Sequence, residues 1–326
     1  WQAIRATRAE QLAAQRLKAE TAARQEADAN LRKARDAVDQ MLTRVADERL
    51  KNVPHAEQIR KQLLEDALRF YDSFLKQRPA SPEAMRDRGE ILQRVGNNRY
   101  GLGQLAESAE AYREASVQFE AIITSTGRDD PDILLAQTWS VYKLAFILTT
   151  QNHLDAAEGE CRRGLNLAKR IQLVTTRDEL ARAPIGRPPH PDLEEAHDNT
   201  REELVQRLTG ECERIFGWIE RLRGRFDAAI PHQRTAVQLH ESVASRHPDD
   251  SMLHHRLTMC WIGLARGFIE AGRPVDAEPF LKKGLELAER LSGKHPGDPV
   301  YRALPPKVLQ SVAEVQILTG MRLDAL

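Results

Sequence analysis

Ten histidines are the first residues here whose type could support chemistry. His232 and His240 stand eight residues apart on one expected helix, about two turns, and His247 lies about two turns further on. His254 and His255 follow across a turn. A helical pair of metal ligands sits at i and i+4, and no carboxylate or cysteine joins this set convincingly. These histidines therefore read as solvated surface residues, and Asp249-Asp250 reads as a helix start. Cys161, Cys212 and Cys260 are 51 and 48 residues apart, far from any C-x-x-C spacing. They read as small residues buried between packed helices. Gly101-Leu-Gly103-Gln-Leu-Ala106 has the outline of a dinucleotide fingerprint. That motif needs a strand before it, and a helix is expected there instead. No Gly-rich kinase loop, His-Arg-Asp loop or Asp-Phe-Gly is present. No residue is assigned a catalytic, cofactor-binding or metal-binding role, and no cofactor is implied. The chemistry left is recognition.

The elements that would carry recognition follow from a repeat. Ser108, Ala157, Ala229 and Ala277 are small residues in matching contexts, separated by 49, 72 and 48. The middle gap is one period plus half a period. A fixed period of about 48 implies helical hairpins stacked as a solenoid, and such arrays commonly serve as binding surfaces. Expected helix pairs cover about 82–126, 132–172, 200–246 and 250–293, with a truncated last repeat beginning near Pro305. Four prolines and a glycine within 183–191 forbid a helix, so an inserted loop is expected at about 173–199. Residues 1–50 contain neither Pro nor Gly. They read as one charged, Ala-rich helix of roughly 75 Å, a stalk or loose coiled coil through which two copies could pair. Residues 54–78 read as a leading helix, half-matching a repeat.

Composition agrees with this picture. Lys+Arg and Asp+Glu are 48 each, and the zero balance argues against nucleic acid as a partner. No run of eighteen apolar residues occurs, so no membrane insertion within the chain is expected. The chain begins at Trp1 without Met and stops inside a repeat, so a piece of a longer protein is expected.

The repeats resemble tetratricopeptide repeats, TPRs, which place aromatic and small residues at fixed positions of a helix pair. The best match is Trp261, Leu264, Ala265 and Phe268, then Ala277, Leu281 and Gly284. Others are Gly96, Ser108, Tyr112 and Ala115; Phe216, Gly217, Ala229 and Ala236; and Leu144, Ala145, Ala157, Cys161 and Gly164. Val312, Ala313, Gly320 and Ala325 begin a fifth. The period departs from the 34 residues of that family. The resemblance covers 82–326 and implies an all-α, right-handed superhelical solenoid with the first helices lining a concave groove. A protein or peptide would bind there. The groove residues it implies are Asn97, Tyr100, Trp139, Tyr142, Phe146, Arg214, Trp218, Arg221 and Arg266. Asn97 matches the asparagine of carboxylate-clamp repeats, but Gln93 stands where such clamps hold lysine.

A finer likeness concerns the first third. Lys33-Ala-Arg-Asp-Ala-Val-Asp-Gln-Met-Leu-Thr-Arg44 and Leu63-Leu-Glu-Asp-Ala-Leu-Arg-Phe-Tyr71 look like the region downstream of the kinase domain in large bacterial serine/threonine protein kinases. This implies a membrane-anchored parent, with Trp1 just past a transmembrane helix and the repeats as a docking or sensing part. The alternative is a structural spacer or dimerisation module without a dedicated ligand.

Overall fold

A computed structural model describes residues 2–38, 50, 56–75, 82–174 and 200–320. The chain divides into two compact units, residues 1–77 and 78–326. The first holds α1 (Gln2–Val38) and α2 (Glu57–Leu75). The side chains described on α1 are almost all exposed, Leu17 among them. Residues 39–49 and 51–55, the expected end of that helix and the start at Pro54, lie outside the described residues, as does the Pro-rich stretch 183–191.

The second unit is an array of helical hairpins. In order these are α3 (Pro82–Gly101) with α4 (Leu105–Thr126), α5 (Pro131–Thr150) with α6 (Leu154–Val174), α7 (Arg201–Leu222) with α8 (Phe226–Ala244), and α9 (Ser251–Glu270) with α10 (Pro274–Lys294). A one-turn helix, α11 (Pro299–Arg302), which the sequence pattern did not signal, precedes α12 (Leu304–Thr319). Each second helix packs on the next first helix, and successive first helices α3, α5, α7, α9 and α12 also touch. This is the neighbour-only packing of a solenoid, and no strand occurs among the described residues.

Two kinds of turn alternate, and sequence dictates both. The turn into a first helix ends on a side-chain cap. Asp130 accepts from the backbone N–H of Asp132 and Ile133, Thr200 forms a capping box with Glu203, and Asp250 accepts from Met252 and Leu253. The turn into a second helix passes through one left-handed residue: Gly103, Asn152, Gly224 and Gly272, then Gly320 after α12. Their spacings are 49, 72, 48 and 48. Each of the first four stands five residues before the small residue that marks the repeat.

Those small residues are the crossing points. Ser108, Ala157, Ala229 and Ala277 have no exposed surface, and the Ser108 hydroxyl donates to the Gly96 carbonyl at 2.6 Å. A Cβ on Gly96 would meet the Tyr112 ring at 2.7 Å, and one on Gly217 would meet Gln233 at 2.5 Å. The helices therefore approach as closely as glycine permits. α5 lies deepest. Its length and apolarity alone would suit a membrane span, but 83% of that stretch is buried inside the array.

Candidate functional site

One side of the first helices carries a ladder of aromatic rings. Phe146 on α5 and Trp218 on α7 occupy equivalent positions, 72 residues apart, and Tyr100 on α3 stands about one turn past the equivalent residue, Asn97. The Tyr100 and Phe146 rings meet edge to face with centroids 5.9 Å apart, and Phe146 meets Trp218 at 6.0 Å. Tyr100 is 44% exposed, and Phe146 and Trp218 are half-buried. One period beyond Trp218, α9 presents Arg266. It is half-buried and makes no ion pair or hydrogen bond among the described residues. From the first hairpin to the fourth, the same helical position thus holds Asn97, Phe146, Trp218 and Arg266, with the Tyr100 ring one turn beyond Asn97.

Five further residues expected in the groove stand differently. Trp139 and Tyr142 are 2% and 5% exposed, with rings meeting edge to face at 5.5 Å. They are core residues of α5, because helices this long bury part of the face that shorter hairpins would leave open. Lys143 covers them, its ammonium 4.8 Å from the Trp139 ring centre. Asn97 is half-buried and accepts a hydrogen bond from the Tyr112 hydroxyl. Arg221 reaches across to α9 and grips Glu270 with two nitrogens, its Nε at 2.7 Å. Arg214 is bound to Glu211, Nε to Oε2 at 2.8 Å.

That last pair belongs to a buried charged network that the sequence reading missed. Glu211 and Arg214 hold the positions that Trp139 and Tyr142 hold one hairpin earlier. Glu211 also accepts from Arg256 Nη1 on α9 at 2.6 Å. His240 of α8 stands behind it, Nε2 3.9 Å from a Glu211 oxygen, too far for a hydrogen bond. Burial alone would raise the Glu211 carboxyl, but Arg214 and Arg256 outweigh it and hold it well below the usual carboxylate range. Burial pushes the His240 imidazole down to about 4, so it is neutral at pH 7. Burial, with help from Arg256, pulls Arg207 down to about 10.

The histidines are not the solvated set that their spacing suggested. His240 is 1% exposed because it falls on the buried stripe of α8. His232 stacks on Phe216 with centroids 4.4 Å apart, its Nδ1 2.6 Å from Glu213. No three His, Cys, Asp or Glu side chains gather as a metal would need among the described residues. All three cysteines are buried, and burial raises their thiols well above the ordinary value. Gly103 of the dinucleotide-like stretch sits in the α3–α4 turn with φ 76°.

A sequence signal for the network exists in hindsight: opposite charges about one period apart. Glu211 and Arg256 are 45 residues apart, and Arg221 and Glu270 are 49. The aromatic ladder shares this logic.

No protein-family model and no curated protein sequence matches the chain. Solved structures do. The apo form of RapI aligns over 81% of this chain and 82% of its own, with 13% identity and a TM-score of 0.51. BtubC (BKLC) from P. vanneervenii aligns over 80% and 93%, with 14% identity and a TM-score of 0.49. A Podosopora anserina putative kinesin light chain with nearly identical TPR-like repeats aligns over 81% and 96%, with 14% identity and a TM-score of 0.43. At 13% identity the likeness to RapI is one of fold alone, an all-α array of helices.

Proposed function

We propose that the chain is a protein-interaction scaffold whose binding surface is the exposed edge of its first helices. The observation that carries this reading is the Tyr100–Phe146–Trp218 ladder. Three rings from three successive hairpins touch in a row along the first helices, with Tyr100 exposed and Phe146 and Trp218 half-buried. A helix-lined strip of this kind suits an extended or helical segment of a partner. Aromatic and Arg side chains supply most of the binding energy at such surfaces. Lys143 and Arg266 add cations at its margin. The likeness of the first third to the region beyond the catalytic domain of bacterial serine/threonine kinases supports a docking role within a larger signalling protein. The long, exposed α1 supports the second reading, in which two copies pair and the array acts as a spacer.

The test is capture of partners from the source cell by wild type and by the Trp218→Ala/Arg221→Ala variant, after circular dichroism shows that the variant is folded. The expected result is loss of captured proteins. An unchanged set removes this surface and leaves the spacer reading.

A further inference from the structure

Arg207 is the one charged residue of the α7–α9 network whose presence the fold does not account for. It is 5% exposed, yet it makes no hydrogen bond or ion pair among the described residues. None of its nitrogens is sealed from solvent. The charged groups around it are committed elsewhere. Glu211 is shared by Arg214 and Arg256, and the Asp250 carboxylate caps α9. Arg207, Arg214 and Arg256 thus face Glu211 and Asp250, with one positive charge left over. A buried cation without a partner weakens a fold. Retaining one is the expected cost of a site that receives an anion.

Its place on the helix gives the ligand a shape. Arg207, Glu211, Arg214 and Trp218 lie on successive turns of one face of α7. Arg207 and Trp218 are 11 residues apart, roughly 16 Å along the axis. An extended peptide covers that distance in about five residues.

Resting on the scaffold reading above, we propose that Arg207 receives an acidic side chain of a bound peptide segment, about five residues from an apolar side chain that packs on the Phe146–Trp218 rings. Guanidinium pairs with carboxylate through two parallel hydrogen bonds, which gives the site direction as well as charge. The chain's zero net charge disfavours a nucleic-acid backbone as the anion.

The experiment is selection of a random 12-residue peptide library, displayed with blocked C-termini, on the full 326-residue chain. Enriched peptides are then assayed against wild type, Arg207→Gln and Trp218→Ala. The expected peptides carry Asp or Glu about five positions from a large apolar residue. Their binding falls roughly 10- to 100-fold with Arg207→Gln. It falls equally when the peptide's Glu becomes Gln, which leaves the protein untouched. Thermal melts should show Arg207→Gln no less stable than wild type. Peptides that need Trp218 but tolerate both Arg207→Gln and the Glu-to-Gln change overturn the inference and leave the scaffold reading standing. So do peptides that bind only with a free C-terminal carboxylate. A selection that enriches nothing, or peptides indifferent to Trp218→Ala, overturns the scaffold reading itself.

Discussion

Gly272 has φ 72° and Asn152 has φ 63° at equivalent turns, and the contrast isolates one physical effect. A Cβ built on Gly272 meets nothing within 4 Å, so crowding plays no part there. Only the left-handed backbone resists a side chain, at about 1–2 kcal/mol for a β-carbon. Gly272→Val should therefore lower stability by about 1–2 kcal/mol or somewhat more, since Val is also β-branched. Asn152→Gly should be close to neutral, because Asn tolerates this region with little strain. Urea melts of both variants check the pair, and equal effects would contradict the turn assignment. At this scale the sequence was readable wherever a residue type answers to one backbone or packing demand. The small residues at 108, 157, 229 and 277 are of that sort. Trp139 and Tyr142 were misplaced for the opposite reason. A ring satisfies a groove and a core equally well, and burial depends on the length of the neighbouring helices.

Between elements, Glu211, Arg214 and Arg256 tie α7 to α9, with His240 of α8 and Arg207 packed beside them, and this cluster contributes to how the array responds to acid. His240 has a folded value of about 4 against roughly 6.5 in an unfolded chain. As pH falls below about 6.5, the unfolded state takes up the proton first, so stability is lost on the way down to about 4. His255, also held at about 4, acts in the same direction. Glu211 is depressed below its unfolded value of roughly 4.3. Its contribution is complete above that pH and disappears only below it. Denaturant melts at pH 7.5, 6 and 4.5 should show falling stability, with a shallower fall in His240→Gln. A wild-type profile flat across that range, or an identical slope in the variant, would contradict the buried placement of His240. Helix positions within this region were legible because periodicity and caps are local. The network was not, because a charge at one helix position acquires meaning only from its partner one repeat away.

Across the whole array, stacking converts neighbouring helix positions into a line. Tyr100, Phe146, Trp218 and Arg266 are unremarkable one at a time in the sequence. They become a surface because each hairpin adds one position to a common edge. The period made Phe146, Trp218 and Arg266 legible as one line, with Tyr100 three residues past the position it marks on α3, and the 72-residue step across the insertion is the place where a strict 48-residue count would lose it. Solenoids rely on nearest-neighbour contacts, so a partner laid along the first helices would touch several hairpins at once. Exposed apolar residues elsewhere provide the comparison: Leu173 on α6 is 84% exposed and Ile317 on α12 is 80% exposed. Hydroxyl-radical footprinting of the chain, alone and with a captured partner or selected peptide, reads these positions side by side. Protection of Tyr100, Phe146 and Trp218, with Leu173 and Ile317 unchanged, is the expected result; protection of Leu173 or Ile317 with the ladder still reactive would contradict a binding surface on the first helices.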